Sequence, residues 1–279
     1  MKTVIIGRVS RWRNRAIATA QSLRFFLVER LRLPIARLWH SHKYSNTRSE
    51  TPLVSVIIAT YNRAAILIDR TIPALLSQSY KNIEIIIVGD CCIDDTALRL
   101  SKIHDSRIRF YDLPERGKYP SQPAERWFVQ GVVPRNKGLE LARGQWLMWI
   151  SDDDVLMPNG IETLVKFAQS GDYEFVSASY TYEKDGVITV HNLKDVQPRI
   201  GGMQTWLYRS YLRFFRWNIH SWRKSWNKPC DYDLQVRMHS AGVRMGFIDT
   251  VVAHIPATAG TSTVGLQAQL ELAEKGLMP

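Results

Sequence analysis

The sequence predicts an α/β fold, in which helices flank a mostly parallel central sheet and a basic helical N-terminal extension precedes it. Three observations support this prediction. Short apolar runs rich in β-branched residues alternate with helical patterns, polar residues follow the ends of those runs, and positive charge is concentrated at the start of the chain. Continuous apolar strands connected by helices are typical of parallel sheets that are buried on both faces.

The first 50 residues differ from the rest of the chain in charge. Residues 1–48 contain eleven Lys and Arg and a single acid, Glu29, whereas positions 49–279 contain 26 basic and 25 acidic residues. Apolar residues of this extension recur at three- and four-residue spacing: Trp12, Ala16, Ala20, Leu23, Leu27 and Leu31. That pattern is typical of a basic amphipathic helix on an anionic surface, so we expect peripheral membrane contact through residues 1–40. A helix docked on its own domain, or a frayed tail, is the alternative.

Composition narrows the class of protein. The net charge of +11 is no nucleic-acid signal, because the body of the chain is nearly neutral. The cysteines Cys91, Cys92 and Cys230 form no CxxC pair, which indicates a reduced, intracellular chain without structural zinc. No apolar run approaches the roughly 20 residues that a membrane-spanning helix needs. A secretory signal peptide fits poorly, since arginines interrupt the apolar runs of the extension, while an organelle transit peptide stays open.

The predicted elements alternate along the body of the chain. Apolar runs predict strands at 54–59, 83–88, 108–111 and 146–150, followed by shorter strands at 175–180, 187–191 and 204–208. Helical spacing predicts helices at 64–78 with a candidate kink at Pro73, from 94, at 136–142, after Pro158 and at 234–240. Residues 117–133 are rich in Pro and Gly, which predicts an ordered loop.

Polar residues follow several predicted strands at the point where each strand ends. Asn62 and Arg63 follow the first strand, Asp90 the second, and the acidic triplet 152–154 follows the run WLMWI. Ligands bind beyond the carboxyl ends of such strands. Adjacent carboxylates repel one another, and Mg²⁺ or Mn²⁺ compensates that charge most simply, because it completes its shell with water and phosphate oxygens. An acidic helix start is the alternative.

Four stretches of the chain carry recognisable motifs: VSVIIATYNR, IEIIIVGDCCIDDT, RNKGLELARGQWLMWISDDDVLMP and PCDYDLQVRMHSAG. They resemble motifs of the family-two glycosyltransferases with the A-type fold, which move a sugar from a nucleotide-diphosphate donor to an acceptor hydroxyl. They follow the family's order and together cover about residues 53–254. The resemblance implies a Rossmann-like nucleotide-diphospho-sugar transferase fold, with a catalytic domain at 51–260 and a C-terminal tail at 261–279.

The resemblance also implies roles for individual residues. The donor-binding set would be Thr60, Tyr61, Asn62, Arg63, Asp90, Arg135, Asn136 and Asp152, with Asp90 accepting hydrogen bonds from the base and Asp152 near the ribose. The ligands of Mg²⁺ or Mn²⁺ would be Asp153, Asp154 and His254. Asp231 would be the general base that deprotonates the acceptor hydroxyl, and one in-line attack predicts inversion at the anomeric carbon.

Several positions depart from the family pattern or have a simpler interpretation. Gly89 and Ser151 each stand where the family has an acid. The Cys91 and Cys92 pair replaces a Gly-Ser pair, and Cys230 replaces a Glu. Asp231 and Asp233 have a simpler interpretation as caps of the helix at 234–240. His254 has one as a buried histidine that is hydrogen-bonded within the sheet.

Together these features predict an inverting, metal-assisted glycosyltransferase that acts in the cytoplasm, on the inner face of the cell membrane, with a glycan or lipid-linked acceptor. The segment 206–226 concentrates aromatic residues and arginines, and it is either an acceptor or lipid-diphosphate surface or a core-packing unit. Two other functions stay open. One is a nucleotidyltransferase acting on a sugar phosphate, although TYNRAAI lacks that class's Gly-rich basic loop. The other is a non-enzymatic basic module that binds RNA or anionic lipid.

Overall fold

The computed structural model describes residues 2–45, 51–191, 199–223 and 229–257, with side chains of the first helix described for residues 12–40. In these residues the chain forms the strands β1 (Val54–Thr60), β2 (Ile83–Gly89), β3 (Ile108–Asp112), β4 (Trp146–Ser151), β5 (Val155–Leu156), β6 (Phe175–Lys184), β7 (Val187–Val190), β8 (Leu207–Arg209) and β9 (Met245–Ile255). The predicted C-terminal tail at 261–279 lies outside the described residues.

The helices cover both faces of the sheet. They are α1 (Lys2–Ser45), α2 (Ala64–Ile66), α3 (Ile72–Leu76), α4 (Thr96–Leu100), α5 (Pro123–Trp127), α6 (Val132–Leu141), α7 (Gly160–Ser170) and α8 (Cys230–Ala241). A π-helical turn at Leu67–Thr71 joins α2 and α3, and 3₁₀ turns lie at Met203–Thr205, Ser210–Phe214 and Ser221–Arg223.

The strands form one mixed sheet in the order β3-β2-β1-β4-β8-β6-β9-β5, with β7 paired to β6. The first four strands in this order are parallel to their neighbours, and β8 joins them antiparallel to β4. The predicted α/β class with flanking helices is confirmed. Because β1, β2 and β4 run in the same direction, their carboxyl ends meet at one edge, and the polar residues that follow them come together there.

The sheet is buried on both faces because side chains of its strands alternate between two apolar clusters. On β1, Val56 and Ile58 pack with α3 and α7, whereas Ile57 packs with α6, α8 and α1. Burial of this kind contributes about 1.5–3 kcal/mol per large aliphatic side chain. The strands are therefore rigid, and the loops that follow them are positioned accurately.

Helix α1 docks on the sheet-containing body of the chain instead of extending from it. Leu33 is fully buried, Glu29 contacts Arg237 of α8, and Arg37 donates two hydrogen bonds to Glu174, at 2.7 and 2.6 Å. The face that packs is therefore not the apolar stripe seen in the sequence. That stripe is exposed: it contains Trp12, Leu23, Leu27 and Leu31, with Phe26, Ile35, Leu38 and Trp39 beside it. In the described part of the chain, no helix is both long and apolar enough to cross a membrane.

Several predicted element boundaries were wrong. The predicted loop at 117–133 contains α5 and the start of α6. The strand expected at 204–208 begins only at Leu207, because a 3₁₀ turn occupies 203–205. Helix α8 begins at Cys230, four residues before the predicted start, so Asp231 and Asp233 lie in its first turn and Pro229 is the N-cap residue. Asp231 and Asp233 are therefore not side-chain caps of α8.

Candidate active site

A pocket of about 380 Å³ opens at the carboxyl ends of β1, β2 and β4. Strand ends contribute Thr60, Tyr61, Arg63, Asp90, Asp152 and Asp153, and the segment from 116 to 135 contributes Arg116, Tyr119, Arg126, Gln130, Gly131 and Arg135. Seven of the predicted donor and metal residues thus line one pocket: Thr60, Tyr61, Arg63, Asp90, Arg135, Asp152 and Asp153. Arginine is the commonest side chain of this lining, which suits an anionic ligand.

An acidic corner, formed by Asp152 and Asp153, converges on one guanidinium. Arg63 donates a hydrogen bond from Nη2 to Asp153 Oδ2 at 2.7 Å, and its Nη1 lies 3.4 Å from Asp152 Oδ1. Asp152 is held from the other side, because Thr60 Oγ1 donates to its Oδ2 at 2.7 Å. The two carboxylates therefore already meet around a single cationic group.

The environments of the three acids differ. Burial raises the pKa of Asp152 to about 6, although Arg63 acts in the opposite direction. Burial and the neighbouring Asp153 charge raise the pKa of Asp154 to about 7. Asp154 does not line the pocket. The structure therefore brings Asp152 and Asp153 to the donor pocket and leaves Asp154 in the interior behind them.

Asp90 follows β2 and lines the same pocket, with its backbone N–H donating to the Thr60 carbonyl at 2.9 Å. Its Oδ1 accepts a hydrogen bond from the Gly117 backbone N–H at 2.9 Å, and its Oδ2 lies 3.9 Å from Arg116 Nε. The Arg116 guanidinium also stacks over the Tyr61 ring, 3.6 Å from its centroid. These contacts fix the wall of the pocket between β1, β2 and the loop that follows β3.

The glycine that replaces an acid at position 89 has a structural reason. A Cβ at Gly89 would collide with the carboxylate of Asp112, the last residue of β3. Asp112 Oδ1 in turn accepts a hydrogen bond from the Cys92 backbone N–H at 3.1 Å. A carboxylate from the neighbouring strand thus occupies the space beside the turn that a side chain at 89 would need.

Two predicted donor residues act on the backbone instead of facing the pocket. Asn62 adopts a left-handed conformation with φ of 53°, and its Oδ1 accepts from the Ile93 backbone N–H at 2.9 Å. Asn136 bonds both backbone groups of Trp217, at 2.9 and 3.0 Å. Each ties two segments together, and neither lines the pocket.

Asp231 lies in the first turn of α8, next to the pocket wall. Burial raises its pKa, while the Tyr232 N–H at 2.8 Å and the charge of Arg135 oppose the shift. Burial also raises the pKa of Tyr180 to about 12, and the charges of Asp231 and Asp154 add to that rise. Asp231 and the interior acid of the triplet are thus both within electrostatic reach of one phenol.

His254 contacts residues other than the acidic triplet. Its Nδ1 lies 2.9 Å from Thr181 Oγ1, and its Nε2 lies 4.0 Å from Glu183. No three His, Cys, Asp or Glu side chains among the described residues form a metal-binding group. Mg²⁺ and Mn²⁺ need only one or two protein carboxylates where a diphosphate supplies other oxygens, so the acidic corner fits such an ion by its donor chemistry.

Sequence reasoning missed the second wall of the pocket. Arg116, Tyr119, Arg126 and Gln130 come from a segment that was predicted as an ordered loop without assigned roles. The available signal was the density of basic and aromatic residues after β3, in RGKYPSQPAERW. Such residues in a loop beyond a parallel sheet are candidates for anion binding.

A sequence profile described as "Glycosyl transferase family 2" matches residues 55–122 and 132–228, which is more than half of the chain. The chain belongs to glycosyl transferase family 2. The family assignment supports a glycosyltransferase. This assignment sets aside the nucleotidyltransferase and the non-enzymatic binding module.

Two curated relatives are bacterial glucosyltransferases. The chain is 36% identical over 137 residues to an Escherichia coli UDP-Glc:alpha-D-GlcNAc-diphosphoundecaprenol beta-1,3-glucosyltransferase. The matched stretch covers 49% of each protein. It is 30% identical over 137 residues to a Campylobacter jejuni GalNAc(5)-diNAcBac-PP-undecaprenol beta-1,3-glucosyltransferase, covering 48% of the chain and 40% of the relative. The similarity thus spans half or less of each relative's length.

Solved structures show the same fold. A mannosyltransferase from Pyrobaculum calidifontis in complex with GDP-Man and Mn²⁺ superimposes with a TM-score of 0.58 at 16% identity, covering 94% of this chain and 73% of that one. S. aureus TarS 1–349 in complex with UDP-GlcNAc gives a TM-score of 0.58 at 16% identity, covering 76% and 61%. The predicted A-type glycosyltransferase fold is confirmed.

Proposed function

We propose that this family 2 enzyme is an inverting glycosyltransferase that transfers a hexose from a nucleoside-diphosphate donor to a sugar carried on a polyprenyl diphosphate. The observation that carries the proposal is the pocket in which an acidic corner and several arginines meet at the ends of β1, β2 and β4. The names of the two glucosyltransferase relatives support the lipid-linked acceptor and make UDP-glucose the first donor to test.

The donor would bind with its charge and its base at opposite ends of the pocket. Arg63, Arg116, Arg126 and Arg135 surround the space in which a diphosphate would lie, and guanidinium groups bind phosphate oxygens in bidentate geometry. Asp90 lines the far end and would accept hydrogen bonds from the base. Asp152, fixed by Thr60, would face the ribose.

A divalent cation fits the acidic corner, with Asp153 and Asp152 as the protein ligands. The Arg63 guanidinium contacts both carboxylates, and a divalent cation would take its place as the positive charge of this corner. When bound, Mg²⁺ or Mn²⁺ stabilises the negative charge that develops on the departing diphosphate. We do not assign Asp154 or His254 as ligands, because Asp154 lies behind the pocket and His254 contacts Thr181 and Glu183.

Asp231 would act as the general base. Burial raises its pKa, and a carboxylate with a raised pKa accepts a proton more readily near neutral pH. Arg135 lines the donor pocket and also acts on the charge of Asp231, so the base lies beside the wall that the donor would occupy. One base and one attack on C1 produce inversion of the anomeric configuration.

The exposed stripe of α1 would rest on the membrane that carries the acceptor. Leu23, Leu27 and Leu31 face outward, while Arg24, Arg30 and Arg32 are exposed among them. Apolar side chains with interspersed arginines favour an anionic lipid surface. The same arginines on a second copy of the chain would repel them, which opposes dimerisation through two such stripes.

The experiment for the enzyme activity is a transfer assay with UDP-glucose and a lipid-linked sugar acceptor, with the product anomer determined by NMR. We expect a β-linked product from the α-configured donor. We expect Asp231→Asn to lower kcat at least 100-fold while the affinity for UDP stays unchanged. Asp172→Asn, at an exposed position, is the matched control. An α-linked product, or full activity of Asp231→Asn, would contradict the mechanism.

The experiment for the membrane contact is co-sedimentation with vesicles that contain phosphatidylglycerol. We expect Leu27→Asp to reduce the bound fraction, because it places a charge within the apolar stripe. Leu98→Asp, on exposed α4, is the control and should bind as the unmodified enzyme does. Equal binding of all three proteins would show that α1 does not contact the bilayer.

A further inference from the structure

A second cavity lies between α1 and α8, and it shares no lining residue with the donor pocket. It is a groove of about 650 Å³. Its apolar lining includes Ala18, Leu23 and Phe26 of α1 with Val236 and Ala241 of α8. The α1 residues of the lining extend from Arg15 to Glu29, which corresponds to about 20 Å at 1.5 Å per residue. The groove is therefore long and apolar, a shape that suits a chain-like ligand.

The groove is continuous with the exposed stripe of α1. Leu23 of the stripe and the adjacent Phe26 are exposed and also line the groove, so a hydrocarbon chain that leaves a bilayer beside the stripe reaches the groove along these two side chains. Burial of each CH₂ group in such a groove contributes about 0.8 kcal/mol.

The two ends of the groove differ in charge and in their position along α8. Helix α1 contacts α8 in parallel orientation, because Glu29 meets Arg237 and Arg37 meets the Gly242 carbonyl further along. The Arg15 end of the groove therefore points toward the start of α8, where Asp231 lies. Asn14 next to it accepts a hydrogen bond from Arg223, close in sequence to that helix start.

We propose that this groove binds the polyprenyl chain of the acceptor, with its diphosphate beside Arg15 and its apolar tail extending toward Ser240 and Ala241. The inference rests on the proposed function for the identity of the acceptor. It assigns α1 and α8 a substrate-binding role: the anionic head lies at the basic end beside Arg15, and the hydrocarbon lies along the apolar floor. The acceptor sugar then continues from the diphosphate toward the base.

The test uses farnesyl diphosphate as the probe, titrated calorimetrically into the full chain at concentrations at which the probe does not form micelles. Ser240→Trp fills the groove from an exposed position of its lining. His239→Trp, the exposed neighbour on α8 outside the lining, is the matched control. We expect Ser240→Trp to weaken binding at least tenfold, equivalent to about 1.4 kcal/mol, and His239→Trp to leave it within twofold. Arg15→Ala should reduce the preference for farnesyl diphosphate over farnesol.

Several results would overturn the groove assignment. They are equal affinities of the two tryptophan variants, displacement of the probe by UDP, displacement by phosphatidylglycerol vesicles, and failure of the unmodified enzyme to bind the probe. Probe binding is measured without turnover. Failure of glucosyl transfer therefore contradicts the proposed function alone, and failure of probe binding contradicts the groove alone.

Discussion

Two arginines of this fold are each contacted by two carboxylates, and the two clusters differ in exposure. Arg63 meets Asp152 and Asp153, with 30% of the Arg63 side chain exposed and 23% of Asp153. Arg237 meets Glu29 and Asp233, and these three side chains are 7%, 3% and 1% exposed. Both clusters join one arginine to two carboxylates, but only the first opens onto a pocket at the strand ends.

The difference separates a structural cluster from a functional one. Around Arg237, charges with little access to water hold α1 against α8, and removal of one partner breaks ion pairs that lie in the interior. Around Arg63, water reaches the ion pairs, so breaking them costs little free energy. A metal cation would then replace the guanidinium beside the two carboxylates, and the freed guanidinium would bind a phosphate. Buried carboxylates next to arginine therefore indicate a ligand site only where the cluster is accessible.

The largest effect is expected when the buried cluster is broken. Arg237→Ala leaves Glu29 and Asp233 without their shared partner, so we expect a loss of about 3–5 kcal/mol in the free energy of unfolding, measured by urea denaturation. Arg244→Ala removes a half-exposed arginine that also bridges two acids, and we expect it to cost about 1 kcal/mol or less. Equal losses in the two variants would remove the distinction between the clusters.

A smaller effect on stability and a larger one on activity are expected at Arg63. Because Arg63 is partly exposed, Arg63→Ala should change the free energy of unfolding by about 1 kcal/mol or less. We expect kcat/KM for the donor to fall at least tenfold, about 1.4 kcal/mol, because a phosphate-binding group is lost. If Arg63→Ala loses stability but keeps its activity, Arg63 has a structural role like that of Arg237.

The smallest effect concerns the pH dependence of stability at Asp154. The pKa of Asp154 is raised to about 7, so the folded protein keeps this proton between about pH 4 and 7 while the unfolded chain releases it. Stability therefore falls as pH rises through that window. Asp154→Asn removes this titration, and we expect its stability relative to the unmodified enzyme to increase by about 1 kcal/mol or more from pH 4 to pH 7. An unchanged difference across the window would contradict the burial assigned to Asp154.

The sequence predicted the parts of the molecule that depend on local pattern. Apolar runs located β1, β2 and β4 within one or two residues, because a strand buried on both faces needs such a run. The strand-end rule then placed Arg63, Asp90 and Asp152 at one edge. These predictions needed no knowledge of distant contacts.

The parts that the sequence did not predict depend on contacts far apart in the chain. Glu29 meets Arg237 across 208 residues, and that contact turns the apolar stripe of α1 outward. Asp112 fills the space beside Gly89 from a neighbouring strand, and Asp154 is buried outside the pocket although the two residues before it line the pocket. No periodicity within a single segment carries this information.

The most direct test of the central claim is calorimetric titration of UDP, with GDP in parallel, in the presence and absence of Mn²⁺. If Asp152 and Asp153 hold a cation that binds the diphosphate, Mn²⁺ raises the nucleotide affinity of the unmodified enzyme and of Asp154→Asn at least tenfold. Asp153→Asn loses that dependence while its thermal unfolding stays unchanged. Nucleotide affinity that is independent of Mn²⁺ in the unmodified enzyme, or dependent on it in Asp153→Asn, would contradict the account.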